Sequence, residues 1–303
     1  MFKKITFSVI GLFLFLLLFI NVDTLISERV MNALWPIGHV TVFAFWSFLL
    51  LRYHPQLKVA NLYKQLFLLT LFCIVFGGGI EIIQPFFGRS KELGDVLMDY
   101  IGVLLSILII NHRRIHWGYK FTYAALLSYL LIPSALVIYD EAQIRYEFPV
   151  LASFQHQIAL TRWKADQPLS LAKPKQLSDS NAMMKITFVP RKYSGVALRY
   201  FQGNWQAYKT LSMHFYNPNL DALPVTLIIT DKHYNKGKPN HLDRFDKDLQ
   251  IQPGFSEINL PLATIKEGVK LRNMDLTQMA GVDFYMYDLK GPVYLYLDSL
   301  YLE

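Results

Sequence analysis

Long apolar runs in the first half of the chain constrain its fold more than any other feature. Several of them reach the roughly 20 residues that cross about 30 Å of hydrocarbon. From about residue 142 onward no such run occurs, and the sequence reads as soluble β structure. The pattern predicts a bundle of membrane helices, residues 1–140, followed by a separate domain, residues 141–303. Five spans are expected, near residues 4–20, 33–51, 65–84, 95–110 and 121–139.

Basic residues in the short loops give this bundle an orientation, because loops rich in lysine and arginine stay on the cytoplasmic side. The first apolar run lacks a small-residue cleavage pattern, which favours an uncleaved anchor over a signal peptide. With the N-terminus inside, the cytoplasmic loops hold Lys3, Lys4, Arg52, Lys58, Lys64, Arg113, Arg114 and Lys120, against Arg29, Arg89 and Lys91 outside. Five spans then place the second half outside the cytoplasm.

The formal net charge of +7 is accounted for largely by these loops. No basic strip with interleaved aromatic residues occurs, so a nucleic-acid partner is not expected. The lipid bilayer is the expected partner of the first half.

Polar side chains interrupt the apolar runs at one level of the bundle. Glu81 and Gln84 are three residues apart and share a helix face, as do Asp95 and Asp99, four apart. The topology brings them to one depth, at the outer end of the bundle, where ionisable groups mark a candidate functional site. The predicted polar group is His39, Glu81, Gln84, Arg89, Asp95 and Asp99, with His39 and Asp99 at its edge.

Two interpretations of this group remain open. Arg89 could pair with Asp95 or Glu81 and only pin the loop between two helices. Alternatively, the group binds a ligand or catalyses a reaction at the outer leaflet.

The order of these residues, with Gly102 after them and His39 upstream, resembles the VanZ-like membrane family, named for a teicoplanin-resistance protein. The resemblance covers roughly residues 5–115. It implies a multi-pass protein of the bacterial inner (cytoplasmic) membrane more firmly than it implies any reaction. The chain departs from the family's pattern at Asp99, where asparagine is usual, and in the residues 35–38 that precede His39.

The second half alternates in polarity over short runs separated by turn residues, which predicts an all-β sandwich or jelly roll. The expected strands are Met184 to Val189, Gly195 to Tyr200, Thr210 to Tyr216, Val225 to Asp231, Phe245 to Ile251, Ser256 to Leu260, Val282 to Tyr287 and Val293 to Leu302.

Several segments of this half, among them YSGVALRY, LPVTLIITD and VYLYLDSLYLE, together resemble galactose-binding-like jelly rolls related to carbohydrate-binding modules. That resemblance implies binding more often than catalysis. Aromatic rings can stack on sugars, although most rings in alternating strands face the core. The candidates for stacking are Trp163, Tyr193, Tyr200, Trp205 and Tyr208.

No nucleophile elbow, P-loop or zinc-protease motif occurs, and neither a metal nor a cofactor is expected. Acidic residues in the loop around residues 231–248 do not match the spacing of an EF-hand. The leading interpretation is a non-enzymatic envelope protein whose sandwich holds a glycan or another envelope component. The alternative is an enzyme acting on a lipid-linked envelope precursor, with Glu81 or Asp95 as general acid or base and Arg89 holding an anionic head group. A third interpretation is a transporter.

Overall fold

A computed structural model describes residues 9–14, 16, 19, 27–87, 92–174, 182–236 and 240–303. The chain divides into two compact units, Met1–Tyr139 and Asp140–Glu303. Residues 9–14 are helical. The longer helices are α1 (Glu28–Tyr53), α3 (Leu62–Ile83), α4 (Leu93–Ile110) and α5 (Trp117–Glu147). The shorter ones are α2 (Pro55–Val59), α6 (Lys232–Lys236) and α7 (Leu262–Glu267).

Local sequence sets where the helices of the first unit begin. The side chain of Asn61 accepts a hydrogen bond from the Lys64 backbone N–H at 2.9 Å and so caps α3. Ser27 caps α1 in the same way through Val30. Pro55 occupies the first turn of α2, where a missing N–H costs nothing.

Helices α1 and α4 pack closely because small residues line their contact. A Cβ at Gly102 would overlap the Val40 carbonyl oxygen and lie 2.8 Å from the Ala44 backbone nitrogen. One turn later, the Ser106 hydroxyl donates to the Ala44 carbonyl at 2.5 Å. Close approach of this kind is how small residues join helices in lipid.

Three helical segments of the described residues are long and apolar enough to cross a membrane: Glu28–Tyr53, Leu62–Phe87 and Trp117–Glu147. They match the second, third and fifth expected spans. The first expected span lies mostly outside the described residues. The fourth corresponds to α4, an 18-residue helix that carries Asp95 and Asp99. Five spans are therefore not established.

The second unit is a β-sandwich of eleven described strands. They are β1 (Val150–Ser153), β2 (Trp163–Ala165), β3 (Ser170–Ala172), β4 (Met183–Phe188), β5 (Tyr193–Leu198), β6 (Thr210–Asn217), β7 (Leu223–Asp231), β8 (Phe245–Ile251), β9 (Gly254–Pro261), β10 (Met279–Tyr287) and β11 (Val293–Leu302). Sheet 1 has the order β3-β4-β11-β6-β9, with β1 also paired to β11, and sheet 2 has the order β2-β5-β10-β7-β8. All pairings are antiparallel.

The core lies between the two sheets, because alternate residues of each strand point inward. In β10, Val282, Phe284 and Met286 are buried in this core. In β11 the leucines point inward, and the tyrosines between them are partly exposed. A register shift between Leu297 and Ser299 on β11 keeps Leu300 in the core.

Candidate functional sites

Four polar residues of the first, helical unit form one group, here called the histidine–carboxylate cluster: His39, Glu81, Asp95 and Asp99. His39 comes from α1, Glu81 from the last turn of α3, and the two aspartates from successive turns of α4. His39 and Asp99 are fully buried, and Asp95 and Glu81 are also buried. Four of the six predicted residues are thus brought together.

His39 lies at the centre of this cluster, with a hydrogen bond at one ring nitrogen and a carboxylate near the other. Its Nδ1 is 2.7 Å from Asp99 Oδ1, and its Nε2 is 3.4 Å from Asp95 Oδ2. The Trp35 indole N–H donates to that same Asp95 oxygen at 3.0 Å. His39, predicted at the edge of the group, instead lies between Asp99 and Asp95, because α1 packs against α4.

Glu81 is held by only one of its two oxygens. Oε2 accepts a hydrogen bond from the backbone N–H of Glu92 at 2.8 Å. Oε1 is buried and has no hydrogen-bond partner within the described part of the chain. The same holds for Asp99 Oδ2, which fills the space left by Gly77, where a Cβ would be 2.6 Å from it.

The other two predicted members are Gln84 and Arg89. Gln84 is fully buried in the 3-10 turn Gln84–Phe87 that follows α3. Arg89 lies outside the described residues, so its ion pair with Asp95 or Glu81 stays a prediction. Chemically, a buried imidazole between carboxylates can carry a proton or coordinate a cation.

Two of the five stacking candidates in the sandwich are core residues. Trp205 is completely buried and Trp163 nearly so. An enclosed ring presents no face to a sugar, so a stacking role for these two is wrong. Tyr208 packs against the core and meets Phe148 edge to face at 5.3 Å. Tyr200 is partly exposed.

Tyr193, the fifth stacking candidate, lies on the outer side of sheet 2, which carries a group that we call the tyrosine face: Tyr193, Arg199, Asp283, Tyr285 and Tyr287. The rings of Tyr193 and Tyr287 meet edge to face at 5.3 Å and are 53% and 41% exposed. Arg199 forms a two-pronged ion pair with Asp283, its Nη2 lying 2.8 Å from Oδ2.

Tyr285 lies between Asp283 and Tyr287 on β10, in the middle of the tyrosine face. It pairs in register with Gly195 of β5 and Thr226 of β7. A Cβ at Gly195 would lie 2.6 Å from Cε1 of the Tyr285 ring, so the ring covers this glycine. A side chain larger than glycine at position 195 would therefore meet this ring.

Burial shifts the pKa values of the ionisable groups on the tyrosine face. It raises the pKa of Asp283, and the Arg199 guanidinium only partly offsets this. The pKa of Tyr285 is raised as well, first by burial and then by the Asp283 charge. For Arg199, burial lowers the pKa, but the hydrogen bonds and charge of Asp283 outweigh it and the net pKa is raised. Arg199 therefore stays charged.

Aromatic residues also line the outer side of sheet 1, but their rings are engaged with other side chains. Tyr216 packs against Phe255 and Tyr296 at 5.2 and 6.1 Å and is nearly buried. The ammonium of Lys185 lies 4.2 Å from the centre of the Tyr294 ring. Both outer sides present accessible rings, since Phe255 is 59% exposed, and the tyrosine face adds the Arg199–Asp283 ion pair beside its rings.

Asp231 begins the acidic loop whose spacing does not match a calcium-binding EF-hand. Its carboxylate forms an ion pair with an arginine. Arg272 donates to both of its oxygens, at 2.5 and 2.7 Å, and to Asp243 Oδ1 at 2.6 Å. The backbone N–H of Asp275 adds a hydrogen bond at 2.9 Å. Burial raises the pKa of Asp231, but these hydrogen bonds outweigh it, so that the net pKa is lowered.

Comparison with known proteins gives similarity in fold only. No family model and no curated protein matches the chain, so the VanZ-like resemblance rests on its sequence motif alone. Among solved structures, the C-terminal half is similar to a family 11 carbohydrate-binding module from Clostridium thermocellum in complex with a β-1,3-1,4-mixed-linked tetrasaccharide, with 12% identity, a TM-score of 0.36, and coverage of 50% of this chain and 93% of that one.

Two further structures are similar at the same level. One is a family 28 carbohydrate-binding module specific for non-crystalline cellulose, with 9% identity, a TM-score of 0.37, and coverage of 52% of this chain and 93% of that one. The other is an exo-β-agarase, with 12% identity, a TM-score of 0.42, and coverage of 51% and 25%. Likenesses this low do not identify what the present chain binds.

Proposed function

We propose that this chain is a multi-pass protein of a bacterial inner membrane whose β-sandwich binds a glycan, or another carbohydrate-bearing envelope component, outside the cytoplasm. The apolar lengths of α1, α3 and α5 support the membrane part. The loop charges support a cytoplasmic N-terminus and an extracytoplasmic sandwich. In this proposal the protein is a binder, not an enzyme.

The observation that carries glycan binding is the geometry of the tyrosine face. The Tyr285 ring lies against Gly195 and is partly exposed, and an exposed tyrosine ring can stack on the apolar face of a sugar ring. The Arg199 side chain is 29% exposed and has N–H groups beyond those directed at Asp283, which can donate to sugar hydroxyls. Exposed Tyr193 and Tyr287 extend the aromatic surface beside them.

Glycan-array binding by the detergent-solubilised full-length protein tests this proposal. We expect at least one polysaccharide ligand whose affinity falls about 10–100-fold in Tyr285→Ala, since truncation of a central aromatic contact costs about 1.4–3 kcal/mol. Gly195→Val should weaken binding similarly, because its side chain would displace the ring.

The matched control is Tyr296→Ala, which removes a tyrosine from the outer side of sheet 1. It should leave the affinity unchanged. Binding that is lost in Tyr296→Ala and kept in Tyr285→Ala would contradict the assignment to sheet 2. Absence of any bound glycan would contradict the proposal as a whole.

A second function, an enzyme acting on a lipid-linked envelope precursor, is favoured by one further observation. An apolar cavity of about 330 Å³ in the first, helical unit is lined by residues that include Val42, Phe43 and Ile80. These neighbour His39 and Glu81 along the same two helices. An acyl chain in this cavity would place a lipid head group near the histidine–carboxylate cluster, where His39 or Glu81 could transfer a proton.

A further inference from the structure

The histidine–carboxylate cluster has the donor set of a metal site. Nitrogen from His39 and one carboxylate oxygen each from Glu81 and Asp95 lie within 4.8 Å of one another, and all three residues are buried. Zinc binds histidine nitrogen and carboxylate oxygen at about 2.0–2.2 Å. Small side-chain rotations would close the remaining distance around one ion.

Each of the three side chains is held by a neighbouring group. Asp99 binds Nδ1 of His39 at 2.7 Å, which turns Nε2 toward Asp95 and Glu81. The Trp35 indole donates to Asp95, and the Glu92 backbone N–H fixes one oxygen of Glu81. Metal-binding histidines typically direct their second nitrogen at a carboxylate, and ligating carboxylates are themselves hydrogen-bonded.

Two of the atoms that would face the ion make no hydrogen bond within this network. Neither His39 Nε2 nor Glu81 Oε1 has a hydrogen-bond partner within the described residues, although both atoms are buried. A buried polar atom without a partner costs about 1–3 kcal/mol, and a buried charge costs more. A cation between these atoms would satisfy both and offset the clustered negative charge.

We propose that His39, Glu81 and Asp95 bind a divalent first-row transition metal, zinc in the first place, with Asp99 as the positioning residue for His39. The imidazole favours zinc over magnesium or calcium, which prefer oxygen ligands alone. The site is separate from the tyrosine face and goes beyond glycan binding.

Metal content of the full-length protein, purified in detergent without added chelator, tests the proposal. Mass-spectrometric elemental analysis should give about one zinc per chain, and titration of the stripped protein with ZnCl₂ should restore it. Glu81→Gln and His39→Ala should each abolish stoichiometric binding. Asp99→Asn should keep one site but weaken its affinity about 10–100-fold, as loss of a positioning carboxylate does.

Matched controls use the same residue types away from the cluster: Glu28→Gln and His54→Gln, both exposed. Neither should change the metal content. If the cluster variants fail to accumulate, the decisive measurement is thermal unfolding of the wild-type chain. Its midpoint should fall on chelation and recover with ZnCl₂ but not with MgCl₂.

A folded wild-type protein that neither contains zinc nor takes it up would overturn the site. That result would assign the compensation of the cluster's charge to Arg89 instead. Metal content unchanged in both Glu81→Gln and His39→Ala would also overturn it.

Discussion

At the residue scale, the most heavily hydrogen-bonded charge in the sandwich is the carboxylate of Asp231, held by Arg272 and the Asp275 backbone. We expect Arg272→Ala to lower the free energy of unfolding by about 2–4 kcal/mol, because it leaves a fully buried carboxylate without its cation. Lys270→Ala, two residues away and exposed, should change it by less than about 0.5 kcal/mol. Urea unfolding of the two variants measures the difference.

The lowered pKa of Asp231 also fixes the sign of the pH dependence. A carboxylate with a folded-state pKa below its unfolded value stabilises the fold above that unfolded value. The stabilisation is lost as the pH falls through the folded-state pKa. The difference between wild type and Arg272→Ala should therefore be largest near neutral pH and shrink in acid, and a difference that grew in acid would contradict this account.

At the element scale, the contact between α1 and α4 depends on Gly102. We expect Gly102→Ala to lower the thermal midpoint and accumulation of the full-length protein, because the added methyl group meets backbone atoms that cannot rotate away. The cost should be about 1–3 kcal/mol or more. Gly94→Ala on the same helix is the control, since nothing lies within 4 Å of its Cβ position. An equal loss in both variants would mean that a glycine-to-alanine change destabilises helix α4 itself, rather than its contact with α1.

Strands could be predicted from the sequence where the alternation of apolar and polar residues extends over enough residues to be seen. All eight expected strands are present, and the bounds of Phe245–Ile251 and Val293–Leu302 are reproduced. Strands β1, β2 and β3 were missed because three or four residues are too few to show alternation. Their pairing depends on neighbours distant in sequence.

The sites were predictable to different degrees. Helical spacing and the topology argument brought His39, Glu81, Asp95 and Asp99 together. The same spacing could not show that Asp99 and Asp95 take opposite sides of the imidazole, which depends on the packing of α1 against α4. Asp283, Tyr285 and Tyr287 alternate along β10 and could have been assigned to one outer side, but Arg199 and Gly195 join them only through strand order.

At the scale of the whole molecule, the sandwich unit includes the end of α5. The guanidinium of Arg162 is buried and pairs with Asp140 at 3.0 Å and Glu147 at 3.1 Å. A fragment beginning at Asp140 should fold with a cooperative melt and a β-type circular dichroism spectrum. A fragment beginning at Phe148 should be less stable by about 3–5 kcal/mol, because Arg162 loses both partners. Equal melting temperatures for the two fragments would contradict this role of Arg162.

The place of β11 in sheet 1 has a consequence for biogenesis. This strand is the last of the sandwich to leave the ribosome, yet β4, β6 and β1 all pair with it. Until it arrives, the strands already synthesised lack their central partner and expose unpaired edges, which invite aggregation. The sandwich cannot be completed before residues 293–302 are synthesised, so a nascent chain carried across a membrane would have to be kept soluble by other factors until these residues emerge.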